Sequence, residues 1–377
     1  MTSYCSLALL ALLATATACN NEPPSEEAPL RDTVGKGASR VGNGKLELVF
    51  QDTAYQFTGL AKEEGGRLFV NYPRWSGIYR YGVIEAVGRE GMRPYPDSVT
   101  NVWGPGQSGT NKWVCVQSVY IDPAGTLWVL DPAAPRLKVT TGGGPKLVQM
   151  DKATGKMVRS YSLGGVVPDT GYVNDVRVDP QAGYAYMTES KTGGIVVLNL
   201  QTGVAREVLK KHPSTISDPA YKFVIDGREL MKEGKPAKFN SDGIALTPDG
   251  QWLYYKPLTD DKLYRIRTED LRNESLDTAA LASRVQDLGH KCTTDGMIFD
   301  KAGNLYLGDL QRYRIVRMAP NGSMTTLVED KHLLWPDSYS IADGYLYITC
   351  SQIHLQPEYN EGVNKRTTPY AVYRVKL

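Results

Sequence analysis

Short apolar runs recur along the chain, each led in by one or two small or acidic residues and followed by a Gly-led turn into an aromatic run. The first run of each unit lies in TGLA (58–61), QSVYID (117–122), NDVRVD (174–179), SDGIALTPDG (241–250), TDGMIFD (294–300) and DSYSIAD (337–343). The second reads GRLFVNY (66–72), GTLWVLD (125–131), GYAYMTE (183–189), QWLYYKP (251–257), GNLYLGD (303–309) and GYLYITC (344–350). Such runs, 4–8 residues long between turn signals, are strands. Six units of roughly 40–65 residues each predict a radial array of small antiparallel sheets, an all-β six-bladed β-propeller.

Further strands follow in each unit. LVQMDKATGKMVRSYSL (147–163) and IVVLNLQTGVAREVL (195–209) are hairpins turning on TG, and KLYRIRTEDL (262–271) and RIVRMAPNGSMTTLV (314–328) hold the same place in later units. The strand in GNGKLELVFQD (42–52) precedes the first unit, and YAVYRVKL (370–377) ends the last. Pairing the 45–50 strand outside 371–376 would close the ring and remove two open sheet edges. The propeller domain is therefore placed at 42–377. Insertions at 76–113, 211–240 and 352–369 interrupt the repeat, and the aromatic, Gly-rich 95–113 stretch is a candidate cover for one channel mouth.

Charge adds an exclusion. Lys and Arg number 43 against 41 Asp and Glu, so no global field draws in a polyanion and no nucleic-acid partner is expected. Leu7 to Ala18 is an apolar stretch too short to span a bilayer and of the length of a secretory signal core. It ends in ATAC, compatible with a signal over 1–19 whose Cys19 becomes the acylated first residue. NEPPSEEAPLRD opens a polar tether over 20–41. The expectation is an exported bacterial lipoprotein that meets the membrane through its lipid alone, with a soluble periplasmic or secreted protein as the alternative. Beyond the leader stand Cys115, Cys292 and Cys350, which leave room for one disulfide or for three buried thiols.

Chemistry concentrates where the first strands begin. Gln117, Asn174, Asp242, Asp295 and Asp337 would ring one opening of the central channel. Asn174, Asp242 and Asp295 hold matching positions in three units, and their oxygens suit a hard divalent cation, calcium first. Buried acids facing one another would otherwise repel and take up protons. Gly243 and Gly296 directly follow two of them, where a glycine eases the turn into the inner strand. Asp122, Asp179, Asp249 and Asp300 stand before Gly-containing turns and read as turn-makers away from the cation. No HExxH, GxSxG or phosphate-binding glycine loop is present.

NDVRVD, GGIVVLNLQTG, DGIALTPDGQWLYYKPLTDDKLYRI, DGMIFDKAGNLYLGD, WPDS and SQIHLQPEYN together resemble the bacterial branch of the major royal jelly protein and yellow family over roughly 45–377. The resemblance implies a six-bladed propeller, usually secreted; several insect members resemble binding proteins for small amines or sterols, and some yellow relatives are associated with tautomerase chemistry. More distantly the chain is similar to gluconolactonase and regucalcin-like propellers, which hold a divalent cation. Their PDGM, ND and SNG motifs are matched by Thr294-Asp295-Gly296-Met297, Asn174-Asp175 and Ser241-Asp242-Gly243. Their glutamate has no counterpart at Phe57-Thr58-Gly59. The expected function is small-ligand binding over a cation held by Asn174, Asp242 and Asp295. The alternatives are lactone hydrolysis, with Asp242 or Asp295 acting on water and Gln117 and Asp337 holding the substrate, or a tautomerase-like activity.

Overall fold

The computed structural model describes Met1 and residues 44–377; the signal, Cys19 and the 20–41 tether lie outside the described residues. Six four-stranded antiparallel sheets form the blades of the propeller. Their inner strands are Gly59–Lys62, Ser118–Ile121, Val173–Asp179, Ser241–Leu246, Met297–Phe299 and Pro336–Ala342, in blades one to six. The aromatic runs form the second strands, from Leu68–Asn71 in blade one to Tyr345–Cys350 in blade six.

Blade six closes the ring. Its outermost strand, Glu47–Asp52, pairs antiparallel with Tyr370–Lys376, which pairs with Tyr345–Cys350. The two TG hairpins turn where Gly155 and Gly203 take positive φ (70° and 79°), a conformation glycine adopts without a Cβ clash. Blade four departs from the pattern: after Lys262–Arg267, two short helices (Thr268–Arg272 and Thr278–Ala282) intervene before the fourth strand, Gln286–His290.

The core is a set of seams between neighbouring sheets. Trp128, Leu130 and Leu147 of blade two meet Val176, Ala185 and Met187 of blade three, and a like cluster fills each of the other interfaces. Blades buried on both faces explain why the second strands are nearly continuous in apolar residues rather than strictly alternating. Cys115, Cys292 and Cys350 are three free, buried thiols, which resolves the choice left open above. No helix among the described residues is long and apolar enough to cross a membrane.

A seventh apolar cluster lies off the ring, built of Phe223, Ile225, Leu230, Trp335, Ile353 and Tyr359 with their neighbours. It joins the 211–240 insertion, which folds into two small hairpins (Val224–Ile225 with Arg228–Glu229, and Met231–Lys232 with Lys235–Pro236), to the 352–369 insertion. Glu233 N–H donates to Glu358 O at 3.0 Å, and Arg228 Nη2 donates to Asn360 Oδ1 at 2.6 Å. These two insertions cap one mouth of the channel.

Candidate ligand and cation site

The structure brings all five residues expected at the channel mouth together. Gln117, Asn174, Asp242, Asp295 and Asp337 line a single cavity of about 230 Å³ under that cap. Each stands at or just before the start of an inner strand, and all five are buried.

A recurring backbone irregularity presents them. In blades three, four and six the ladder register shifts between Val173 and Val176, Ser241 and Ile244, and Pro336 and Tyr339. Bulges of this kind bend a strand and re-aim its side chains, and here they fall on Asn174, Asp242 and Asp337. Threonines of the second strands serve the groups that lose ladder partners. Thr188 Oγ1 accepts from Asp175 N–H (3.3 Å) and donates to Asp242 O (2.7 Å), and Thr349 Oγ1 accepts from Ser338 N–H (2.9 Å).

Gly243 and Gly296 have a different role from the one expected. Neither has positive φ; a Cβ at 243 would stand 2.5 Å from Asp295 O, and one at 296 would collide with Asp337 O. Gly296 N–H donates to that same oxygen at 2.7 Å. The glycines let adjacent inner strands approach, so the acids crowd into a narrow ring.

That crowding dominates the electrostatics. Burial raises the pKa of Asp242 well above the carboxylate range, and the like charges of Asp295 and Asp175 push it further. Asp295 is raised by burial and by Asp337; Asp337 by burial and by Asp175 and Asp242. Asp242 and Asp295 lie within hydrogen-bonding reach of each other. Asp242 Oδ1 and Asp337 Oδ2 have no hydrogen-bond partner among the described residues. Asp295 is better held: Trp335 Nε1 donates to its Oδ2 at 2.6 Å.

Asp175 was not singled out from sequence, although its ND dipeptide was; it is buried, and its pKa is raised by burial. Arg177 lies two residues along the same inner strand. Its guanidinium donates to Val176 O and, across the channel, to Met297 O, at 2.6 and 2.7 Å, and lies 5.1 Å from the Tyr120 ring. Lys256 is the other buried cation nearby, with Nζ donating to Pro257, Leu258 and Asp260 carbonyls.

Gln117 is oriented rather than free, since Tyr172 OH donates to its Oε1 at 2.7 Å and Trp75 Nε1 donates to that hydroxyl at 2.9 Å. The walls include Trp75, Phe239, Trp335 and Tyr359. None of the 95–113 stretch lines the cavity; Trp103 and Trp113 of that stretch pack against blades one and two, so the cover comes from 211–240 and 352–369 instead. The turn aspartates behave as expected: Asp300 Oδ1 accepts from Ala302 and Asn304 N–H, and Asp179 Oδ1 from Gln181 and Ala182 N–H. Among the described residues no group of three or more His, Cys, Asp or Glu is drawn together as a metal site. The hard-oxygen set here is two aspartates and an asparagine, with Asp337 beside them. Its unpartnered buried oxygens fit a cation.

Residues 114–377 match the family described as Major royal jelly protein. No curated protein matches the chain. Among solved structures, a luciferin-regenerating enzyme has a TM-score of 0.55 at 13% identity, covering 89% of this chain and 96% of that one. A calcium-binding regucalcin from Agrobacterium tumefaciens has a TM-score of 0.52 at 14% identity, covering 88% and 95%. A gluconolactonase from Xanthomonas campestris has a TM-score of 0.51 at 13% identity, covering 93% and 94%. At these identities the likeness is one of fold.

Proposed function

For a chain that belongs to the major royal jelly protein family, we propose that the capped cavity binds a small ligand over one divalent cation, calcium first, held by Asn174, Asp242 and Asp295. The observation that carries this reading is the pair of buried carboxylate oxygens, on Asp242 and Asp337, with no partner among the described residues. Leaving such groups unpaired is expensive, and hard oxygen donors suit calcium.

Charge supports a cation as well. Asp175, Asp242, Asp295 and Asp337 carry four negative charges when ionised. Arg177, whose guanidinium stays protonated, acts on Asp175. Burial lowers the pKa of Lys256, and its charge is coupled to Asp260 more strongly than to Asp242, so the ionised floor keeps a negative excess that a bound cation would offset.

When bound, the cation would neutralise the acids and polarise a ligand oxygen. Trp335 would hold Asp295 in its orientation, and Tyr172 would fix Gln117 so that its amide N–H groups are turned to a ligand hydroxyl. A second reading, hydrolysis of a lactone, is favoured by the free oxygen of Asp337 beside the Asp242–Asp295 pair, where it would take a proton from an attacking water. We also propose that Cys19 is acylated and that the propeller is exported on its tether.

The test is a panel of sugar lactones with calcium and with chelator, reading both ring opening and thermal shift. Calcium-dependent stabilisation without turnover supports the binding reading; calcium-dependent ring opening supports the hydrolase. No lactone response and no calcium response in either readout would contradict both.

A further inference from the structure

The rim of the cavity carries charge opposite to its floor. Lys191, Lys232 and Lys238 all line it. None of them is paired with a carboxylate of the described residues. Lys191 Nζ donates to Leu137 and Lys138 carbonyls, and Lys238 Nζ to Asp218 and Tyr221 carbonyls. Carbonyl dipoles fix these ammonium groups and leave their charge in place. Lys232 has no oxygen partner among the described residues, and its Nζ lies 5.7 Å from the ring centres of both Phe239 and Tyr359.

Lys191 and Lys232 also lie close enough for one charge to act on the other. Burial lowers the pKa of Lys191, the Glu189 carboxylate pulls it back up, and the positive charge of Lys232 lowers it by a smaller amount. That acid is already engaged: its oxygens accept from the N–H groups of Tyr172, Lys191, Thr192 and Gly193. Lys232 is carried by the second cap hairpin, which the Glu233–Glu358 backbone bond ties to the 352–369 insertion. The like charges are thus held together at one mouth by the fold. The rings of Trp75, Phe239 and Tyr359 line the same cavity.

We propose that the ligand is a small, ring-bearing organic anion. Its oxyanion, a carboxylate or a phosphate, is held between Lys232 and Lys191. Its ring lies along Phe239, Tyr359 and Trp75, and its inner hydroxyl or carbonyl oxygens point to Gln117, Asn174 and the floor. This inference rests on the reading of the cavity as a ligand site and narrows its class. An amine, which acids alone would have suggested, would have to pass three ammonium groups.

The test is calorimetry on the calcium-supplemented protein with matched probes: glucuronate against glucose, phenyl phosphate against phenol, and tyramine as the cationic control. At least one anion should bind on the order of 10-fold or more tighter than its neutral partner, and tighter than tyramine. Raising salt from about 50 to about 500 mM should shrink that advantage, because the rim is solvent-accessible. Lys232→Gln should bring the anion to within about threefold of its neutral partner, while Lys232→Arg retains the preference. The two arms separate carboxylate from phosphate recognition. Calcium titrated alone should bind Lys232→Gln as it binds the native chain, so failure of the floor and failure of the rim give different results. The proposal is overturned if neither anion binds, if neutral or cationic probes bind as tightly, or if Lys232→Gln keeps the preference.

Discussion

Replacing Asp242 by asparagine should make the cation-free protein more stable while removing its response to calcium. Asp242 is buried and within hydrogen-bonding reach of Asp295. Two unit charges about 4 Å apart repel by about 4 kcal/mol at an effective dielectric constant near 20. If the pair avoids this by holding a proton at pH 7, about three units above the ordinary aspartate pKa, the cost is again about 4 kcal/mol. Asparagine keeps the shape and removes that cost. Unfolding entropy of about 2.1 cal/mol/K per residue, over a body of about 330 residues, gives about 0.7 kcal/mol/K. The variant should therefore melt about 3–6 °C higher in chelator, the lower figure allowing for partial relaxation. The native chain should gain about 2.7 kcal/mol, or about 4 °C, at calcium 100-fold above its dissociation constant. In Asp242→Asn that gain should nearly vanish. Differential scanning fluorimetry of both proteins in calcium and in chelator reads all four values. A variant that melts below the native chain in chelator, or that keeps the calcium shift, refutes the reasoning.

Three further outcomes are expected. Carboxyls whose pKa is raised on folding hold protons more tightly folded than unfolded, so floor stability is full below about pH 4 and is lost as pH rises through the raised values. Calcium displaces those protons, so its affinity by calorimetry should weaken as pH falls from about 7 to about 5; an affinity that strengthens would contradict the floor assignment. Trp335→Phe keeps a ring beside His354, which Trp335 stacks on at 5.7 Å, but removes the N–H to Asp295, so calcium should bind about 10–100-fold more weakly; unchanged affinity would deny Trp335 its positioning role. Cys19→Ser should move the protein from the membrane to the soluble fraction, with intact mass showing the lost lipid, and equal partition of both forms would remove the acylation proposal.

The blades and the acid ring were legible because the same short phrase recurs six times. A DG or ND step before an apolar run marks both the start of a strand and the end of the channel where a ligand would sit. Closure through Glu47–Asp52 was legible from the unpartnered strands at the two ends of the domain. The cap was not. Its hairpins have strands of two residues each, too short for any hydrophobic period, whereas the Trp- and Gly-rich 95–113 stretch looked like a lid yet buries Trp113 completely in a seam. Trp335 was quoted only as part of WPDS, because its bond to Asp295 joins two blades and no local pattern encodes it. Thr188 and Thr349 were available in the repeat, at the same place in YAYMT and YLYIT, but a threonine in a strand is ordinary until the bulge it serves is seen. Of the rim lysines, Lys191 lies in a blade-three turn and Lys232 and Lys238 in the 211–240 insertion, and no repeated position links them.

The central claim, that the acid ring holds one divalent cation, is tested most directly by calorimetric titration of calcium into chelator-stripped native protein beside the Asp242→Ala, Asp295→Ala double variant. The account predicts one ion per chain for the native protein and no binding to the variant. No binding to the native chain, or undiminished binding to the variant, would contradict it.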